Sequence, residues 1–367
     1  MEKTMRFIIK LLFLSVSVFL FSCCTEDLDD DFPNFEPLKV TDSMYFFFDN
    51  VRGEQFLAVD LSTDKIVKRY HLDSDKNITH NFTYVEAQKK CYFVYDGHRD
   101  SRTLSSLAEF NPATAKIKFF GDPTLGGTVS MYEFESDHLL LMDNHNEKIY
   151  RYYYETGELT FEPYKFLGTP FKYDGDIYVV ASDSIYDIDT QRYIYNWTKQ
   201  KDLDIDLNEY FPDLLEDYIP NETFHFVSFF EKGIVGKRKK TRNDETMSCD
   251  IETTLYRLEE FGESKFKVSE PLMTLDVGCY ESFEYGDCLY FNTGEAYEDI
   301  LKYNPQTNEI LDSFRNHYPD VKKYDFAFSY DQFCQVGKYV YTINHVEEKN
   351  PAVLKINLED FSMKIIK

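Results

Sequence analysis

The sequence predicts an all-β chain folded as a single β-propeller of four-stranded antiparallel blades, seven in number, with six as the alternative. Three observations predict it. A unit of two apolar runs joined by a polar loop recurs seven times. Several runs are apolar at every position, among them Tyr45-Phe46-Phe47-Phe48 and Ile177-Tyr178-Val179-Val180, as strands buried on both faces require. Apolar stripes at helical spacing are scarce.

The chain opens with Lys3, Arg6 and Lys10, then an almost wholly apolar stretch from Leu11 to Phe21. A stretch of 11 residues matches the apolar region of a signal peptide and is too short to span a bilayer, which takes roughly 20. It ends Leu20-Phe21-Ser22-Cys23. This resembles the lipobox of bacterial lipoproteins, which implies cleavage after residue 22 and lipidation of Cys23. Several acyl chains hold a protein far more firmly than one. Cys24 also follows a small residue, which leaves a one-residue ambiguity.

Residues 23–40 read as a lipidated acidic tether. Thr25-Glu26-Asp27-Leu28-Asp29-Asp30-Asp31 resembles the export signal that follows the lipidated cysteine in Bacteroidetes lipoproteins and sends them to the outer face of the outer membrane. A plain solvated tether, extended by like-charge repulsion, explains the same residues.

Residues 41–367 carry the repeat. In most units the second apolar run ends in Asp or Asn, with a threonine three residues on: Asp60 with Thr63, Asn111 with Thr114 and Asn304 with Thr307. Thr156 and Thr190 fill the same place in two further units. The gaps between the threonines are 51, 42 and 34 residues, then 117 across two units, near the roughly 40–50 residues of a propeller blade. Asp or Asn followed by Thr caps a turn with side-chain hydrogen bonds. The pairings expected are Met44–Asp49 with Phe56–Asp60, Cys91–Asp96 with Leu107–Asn111, Leu139–Asp143 with Ile149–Tyr152, Ile177–Ala181 with Ile185–Asp187, and Leu289–Asn292 with Ile300–Asn304. Ile234-Val235 pairs with Leu255–Leu258, and Tyr339–Ile343 with Val353–Asn357. Phe82–Val85, Phe224–Phe230, Tyr280–Tyr285 and Phe326–Tyr330 supply leading strands. The first unit has no leading strand, so six blades and a shared closing blade is the alternative count. A pair of β-sandwiches is the alternative fold.

Lipobox, acidic tether and repeat together resemble the propeller lipoproteins of Bacteroidetes, of the TolB-like and NHL-like kinds with no assigned function. The resemblance implies a fold and an address, and no activity.

Charge narrows the partners. The net charge is −25, and removal of residues 1–22 takes away Glu2 and three cations, giving −27. Such a field repels nucleic acid and excludes it as a partner. The membrane is met through the lipid, and an envelope protein or a glycan is the partner class that remains. No cofactor motif is present. Cys91, Cys249, Cys279, Cys288 and Cys334 have no zinc-ligand spacing and read as buried strand thiols.

Candidate sites follow from the repeat. The loops after the second strand of each blade share one face, and several carry Asp, Asn and His: Asp49-Asn50, Asp96-Gly97-His98, Asp143-Asn144-His145 and Asn344-His345. His98, His145 and His345 are thus candidate ligand contacts, though Asp, Asn and Gly also build hairpins for their own sake. Lys237, Arg238, Lys239, Lys240 and Arg242 form the one dense basic run, expected in a long solvated loop reaching to about Thr254 and able to grip an anionic partner. The segment from Lys199 to Pro220 reads as an insertion with an amphipathic helix over Leu207–Tyr218, a lid or a seal. Asp42-Ser43-Met44 and Asp183-Ser184-Ile185 resemble the O-glycosylation sequence of Bacteroides exported proteins, at Ser43 and Ser184. Trp197 gives thin support for sugar stacking. The function read from this is a surface-exposed, non-enzymatic scaffold for a protein or glycan. The alternative is a propeller hydrolase or lyase acting on polysaccharide.

Overall fold

The computed structural model describes residues 35–49, 55–72, 78–99, 102–125, 129–133, 136–143, 148–162, 170–182, 192–199, 201–211, 223–243, 248–294, 299–319, 333–344 and 352–367. These form seven antiparallel sheets, each a meander in chain order.

Blade 1 has β1 (Met44–Asp49), β2 (Gln55–Asp60) and β3 (Lys65–His71). Blade 2 has β4 (Ile78–Val85), β5 (Lys90–Arg99), β6 (Arg102–Asn111) and β7 (Lys116–Leu125). Blade 3 has β8 (Val129–Tyr132), β9 (His138–Asp143), β10 (Lys148–Tyr153) and β11 (Glu158–Glu162). Blade 4 has β12 (Pro170–Tyr173), β13 (Asp176–Ser182), β14 (Arg192–Asn196) and β15 (Lys201–Asp206). Blade 5 has β16 (Thr223–Phe230), β17 (Ile234–Asn243), β18 (Ser248–Gly262) and β19 (Lys265–Val268), with β20 (Met273–Leu275) beside β18. Blade 6 has β21 (Gly278–Tyr285), β22 (Cys288–Gly294), β23 (Asp299–Asn304) and β24 (Glu309–Ser313). Blade 7 has β25 (Cys334–Val336), β26 (Tyr339–Asn344), β27 (Ala352–Asn357) and β28 (Met363–Ile366). Two four-residue helices, α1 (Leu207–Tyr210) and α2 (Phe314–His317), follow the outer strands of blades 4 and 6.

The core is divided by seam. Seven apolar clusters lie among the described residues, and each joins one blade to the next, including blade 7 to blade 1. Phe46 and Phe48 face blade 2, and Phe47 faces blade 7. Burial on both sides is why these runs carry no polar alternation. The seventh cluster closes the ring: Phe47, Leu57 and Val59 of blade 1 pack with Tyr341, Ile343 and Val353 of blade 7.

The Asp/Asn–Thr signal forms the turn between third and fourth strands. Ser62 N–H donates to Asp60 Oδ1 at 3.0 Å and Thr63 Oγ1 to Oδ2 at 2.8 Å. These hydrogen bonds, Ser62 foremost and Ser43 with them, outweigh burial and hold the Asp60 carboxyl at about 2. Asn111, Asn304 and Asn357 accept in the same way from Ala113, Gln306 and Glu359 N–H. The next residue is left-handed in five blades: Asp64, Ala115, Gly157, Asn308 and Phe361. This is the three-to-five-residue hairpin with a residue at positive φ.

Blade 1 has three strands among the described residues, and residues 35–43 run to β1 as a strap over blades 1 and 2. Phe35 packs edge-on to Tyr70 and against Phe110, each at 5.5 Å, and Leu38 N–H donates to Pro112 O at 2.9 Å. Glu36 pairs with Lys68 and Asp42 with Lys89. The last residues of the expected tether, 35–40, thus lie against the propeller.

Three expectations are corrected, and a fourth, the leading strand Phe326–Tyr330, lies outside the described residues. Ile177–Ala181 pairs with Tyr193–Asn196 rather than Ile185–Asp187, which lie outside the described residues. The leading strand described in blade 7 is Cys334–Val336. Lys237–Arg242 lie within strand β17, hydrogen-bonded between β16 and β18, and not in a loop. The acidic insertion begins as the outer strand β15, whose alternation buries Leu203 and Ile205 and leads into buried Leu207. Helix α1 covers only Leu207–Tyr210, and residues 212–220 lie outside the described residues.

Candidate binding cleft between blades 4 and 5

One position of the repeat ties five of the seven blades to the next. It is the third-strand residue paired with the buried second-strand residue that faces the following blade. In blade 3 it is Arg151, whose guanidinium lies 4.6 Å from the centre of the Trp197 ring of blade 4. In blade 5 it is Arg257, which donates to Pro305 O and, at 3.4 Å, to Asn308 Oδ1 of blade 6. In blade 6 it is Lys302, which donates to Glu359 O of blade 7 at 3.2 Å. In blade 7 it is Lys355, which donates to Asp64 of blade 1 at 2.8 Å. Blade 2 uses Glu109, which accepts from Tyr152 of blade 3 at 3.5 Å and pairs with Lys90. Blade 1 has Ala58, and its seam is covered by the strap.

Blade 4 breaks the series. Here the position is Asn196, paired with Tyr178. Its short side chain donates 3.0 Å to Asp176 Oδ2 of its own blade. With no side chain reaching across from this position, the seam holds a cleft of about 220 Å³. Asp176 lies on its floor and also takes Tyr178 Oη at 3.3 Å and Lys199 Nζ at 2.5 Å. Lys201 pairs with Glu263 at 2.9 Å on the lip. Asp174 completes the acidic side.

Aromatic rings build the walls. Phe261 of blade 5 stands edge-on to Tyr173 at 4.9 Å and to Tyr178 at 4.8 Å. Beneath them Phe171 and Phe229 stack face to face at 4.0 Å and 7°, fixing the two blades together below the opening. Tyr173 remains 38% exposed at the mouth, on the tight turn from β12 to β13 where Asp174 and Gly175 take positive φ. An exposed ring held by packing, beside acceptors that are already oriented, suits recognition of a polar ligand with a flat apolar face.

Three carboxyls line the cleft, and two of them, Asp176 and Glu263, are shifted downward. Hydrogen bonds from Lys199 and then Asn196 draw the Asp176 carboxyl below its ordinary value, and Lys201 does the same for Glu263. Burial raises three other carboxyls, Glu133, Glu231 and Asp299, and none of them lines the cleft.

The positions singled out in the sequence fall elsewhere. Asp49 and Asp143 do end the second strands of blades 1 and 3 at one end of the ring, fully buried, and Gln55 donates 3.4 Å to Asp49. His98 lies in β5 opposite Thr103, with its side chain outside the described residues, as are His145 and His345 entirely. Among the described residues no three of His, Cys, Asp or Glu gather into a metal site. Lys237 is buried, and Lys239 is opposite Glu252 in the sheet. Arg238 crosses to blade 6, 4.0 Å from the Tyr280 ring centre, and donates to Cys279 O. The Arg242 side chain lies outside the described residues. The basic run is thus built into the sheet. Ser43 donates its hydroxyl to Asp60 at 2.8 Å; Ser184 and Cys23 lie outside the described residues. Trp197 is buried under Arg151 and offers no platform. The ring at the cleft is instead Tyr173, a strand-end tyrosine among many.

Among solved structures the chain is similar to a dihydro-haem d1 dehydrogenase, NirN, in complex with DHE, at 9% identity and a TM-score of 0.51, over 93% of this chain and 78% of that one. Hydrazine synthase of Kuenenia stuttgartiensis gives 11% identity and a TM-score of 0.48, over 94% and 98%. The β-propeller domain of the Trilobed protease of Pyrococcus furiosus gives 10% and 0.47, over 92% and 96%. At such identity a likeness speaks for the fold alone. No family model and no curated protein matches the chain. The chain is a seven-bladed, all-β propeller, with its identity resting on seven sheets joined through seven seams.

Proposed function

We propose that this protein is a lipid-anchored scaffold of the outer membrane, facing the cell exterior, that binds a glycan without transforming it. The observation that carries the binding reading is the unstapled seam at Asn196. It exposes Tyr173 over a floor of oriented carboxylate and amide groups. The address is supported by the lipobox at Cys23 and the acidic residues after it. No helix among the described residues is long and apolar enough to cross a membrane.

A hydrolase or lyase of polysaccharide is the alternative. A glycosidase needs one carboxyl raised so that it stays protonated and donates to the leaving oxygen. Asp176 and Glu263 are shifted in the opposite direction, which favours binding.

Two measurements test the proposal. Protease treatment of intact cells, followed by mass spectrometry of the lipidated remnant, should remove residues beyond the tether and leave an acylated Cys23. Protection until the outer membrane is breached would move the protein to the periplasm. Incubation with polysaccharides should leave their chain lengths unchanged; shortened products would replace the scaffold reading with the enzymatic one.

A further inference from the structure

Resting on the glycan reading of the blade 4–5 cleft, we propose that its ligand is an uncharged glycan, with a sugar ring against Tyr173 and sugar hydroxyls on Asp176 and Glu263, and that acidic glycans are excluded. The proposal follows from how the charges of the cleft are committed. Three carboxylates, Asp174, Asp176 and Glu263, line it with two ammoniums, Lys199 and Lys201. Both ammoniums are already paired, at 2.5 and 2.9 Å. A uronic or sialic carboxylate entering the cleft would have to share Lys199 with Asp176 or Lys201 with Glu263. Either arrangement sets a ligand carboxylate beside a protein carboxylate, inside a molecule of net charge −25. Like charges at such range repel.

Neutral sugars meet no such obstacle. An ionised carboxylate only accepts hydrogen bonds, with about four lone-pair directions. Asp176 Oδ2 is shared by Lys199, Asn196 and Tyr178; sugar hydroxyls, as donors, suit the remaining directions. The apolar face of a pyranose suits Tyr173, which Phe261 steadies at 4.9 Å.

Asn196 supplies an internal control. Arginine occupies the matching position in blades 3 and 5 and reaches the next blade. Asn196→Arg should therefore fill the cleft with a staple of the kind the fold already uses.

The test is calorimetric titration of the full lipidated chain in detergent. The probes are neutral oligosaccharides cut from mannan, xylan and starch, and acidic oligogalacturonides of matched length. The expected result is that at least one neutral series binds tenfold or more tighter than the oligogalacturonide. Tyr173→Ala and Asn196→Arg should each weaken it at least tenfold, with thermal unfolding of both variants showing a folded protein. Binding of the oligogalacturonide as tightly as any neutral series, with the same sensitivity to Tyr173→Ala, would overturn neutrality and leave the cleft reading standing. No binding in either class that responds to Tyr173→Ala would overturn both.

Discussion

Asp64 and Lys355 lie 291 residues apart in sequence and 2.8 Å apart in space, across the seam where the ring closes. Lys364 reaches the other oxygen of Asp64, also at 2.8 Å. The seam between blades 7 and 1 thus has an apolar layer and an ionic latch at its outer side. Asp64 takes the positive-φ position that its hairpin shares with Ala115, Gly157, Asn308 and Phe361, and here that position carries a carboxylate facing the seam.

Asp64→Asn should loosen ring closure. The pair is only 15% and 17% exposed, between the surface and buried regimes, so the expected cost is about 1–2 kcal/mol. Burial alone would raise the Asp64 carboxyl, but Lys355 and Lys364 overcome it and the net shift is downward. A depressed carboxyl stabilises the fold above its unfolded pKa, and the contribution is lost as pH falls through the folded value. Denaturant unfolding should therefore separate native and variant proteins at pH 7 and bring them together in acid below about pH 4.

The staple of blade 5 should matter more than its half-exposed surroundings suggest. Arg257→Met removes the hydrogen bonds to Pro305 O and Asn308. One orphaned carbonyl and a lost charge-assisted bond cost about 1–3 kcal/mol. Hydrogen exchange should quicken at the turn 304–308 and not in blades 2 and 3.

The repeat, the strand pairings and the absence of polar alternation were legible because turn chemistry and double-sided burial act on adjacent residues. Asp60, Asn111 and Asn304 mark their turns unaided. Blade 4 was misregistered because its third strand reaches Asn196 and then turns at Thr198, whose Oγ1 accepts from Ile177 N–H. The Asp187–Thr190 spacing imitates the expected signal. Lys237–Arg242 read as a loop because polarity suggested solvent; pairing on both sides and partners such as Tyr280, distant in sequence, make it a strand. The cleft was not legible at all, since Asn196 differs from Arg151 and Arg257 only once the seven third strands are aligned by register.

Phe171→Ala should destabilise the seam that carries the cleft. Phe171 is 8% exposed and stacks on Phe229 at 4.0 Å. Truncation of such a ring costs about 3–5 kcal/mol, and the transition midpoint in denaturant should fall accordingly with the slope unchanged.

Thiol chemistry should follow burial. Burial pushes Cys279 and Cys334 up to about 12, and Cys91 is raised by the same cause. Alkylation at pH 8 of the folded protein should spare these three and reach the partly exposed Cys288 before any of them. All four should react in denaturant.

Hydrogen exchange of the full lipidated chain, with and without a saturating neutral oligosaccharide from the panel above, tests most directly where the propeller binds. Added protection should be confined to the turns at 173–178 and 196–203 and to 261–265, the segments that line the seam beside Asn196. Protection at the opposite end of the ring instead, where Asp49 and Asp143 end their strands, would contradict the assignment of the cleft as the binding site.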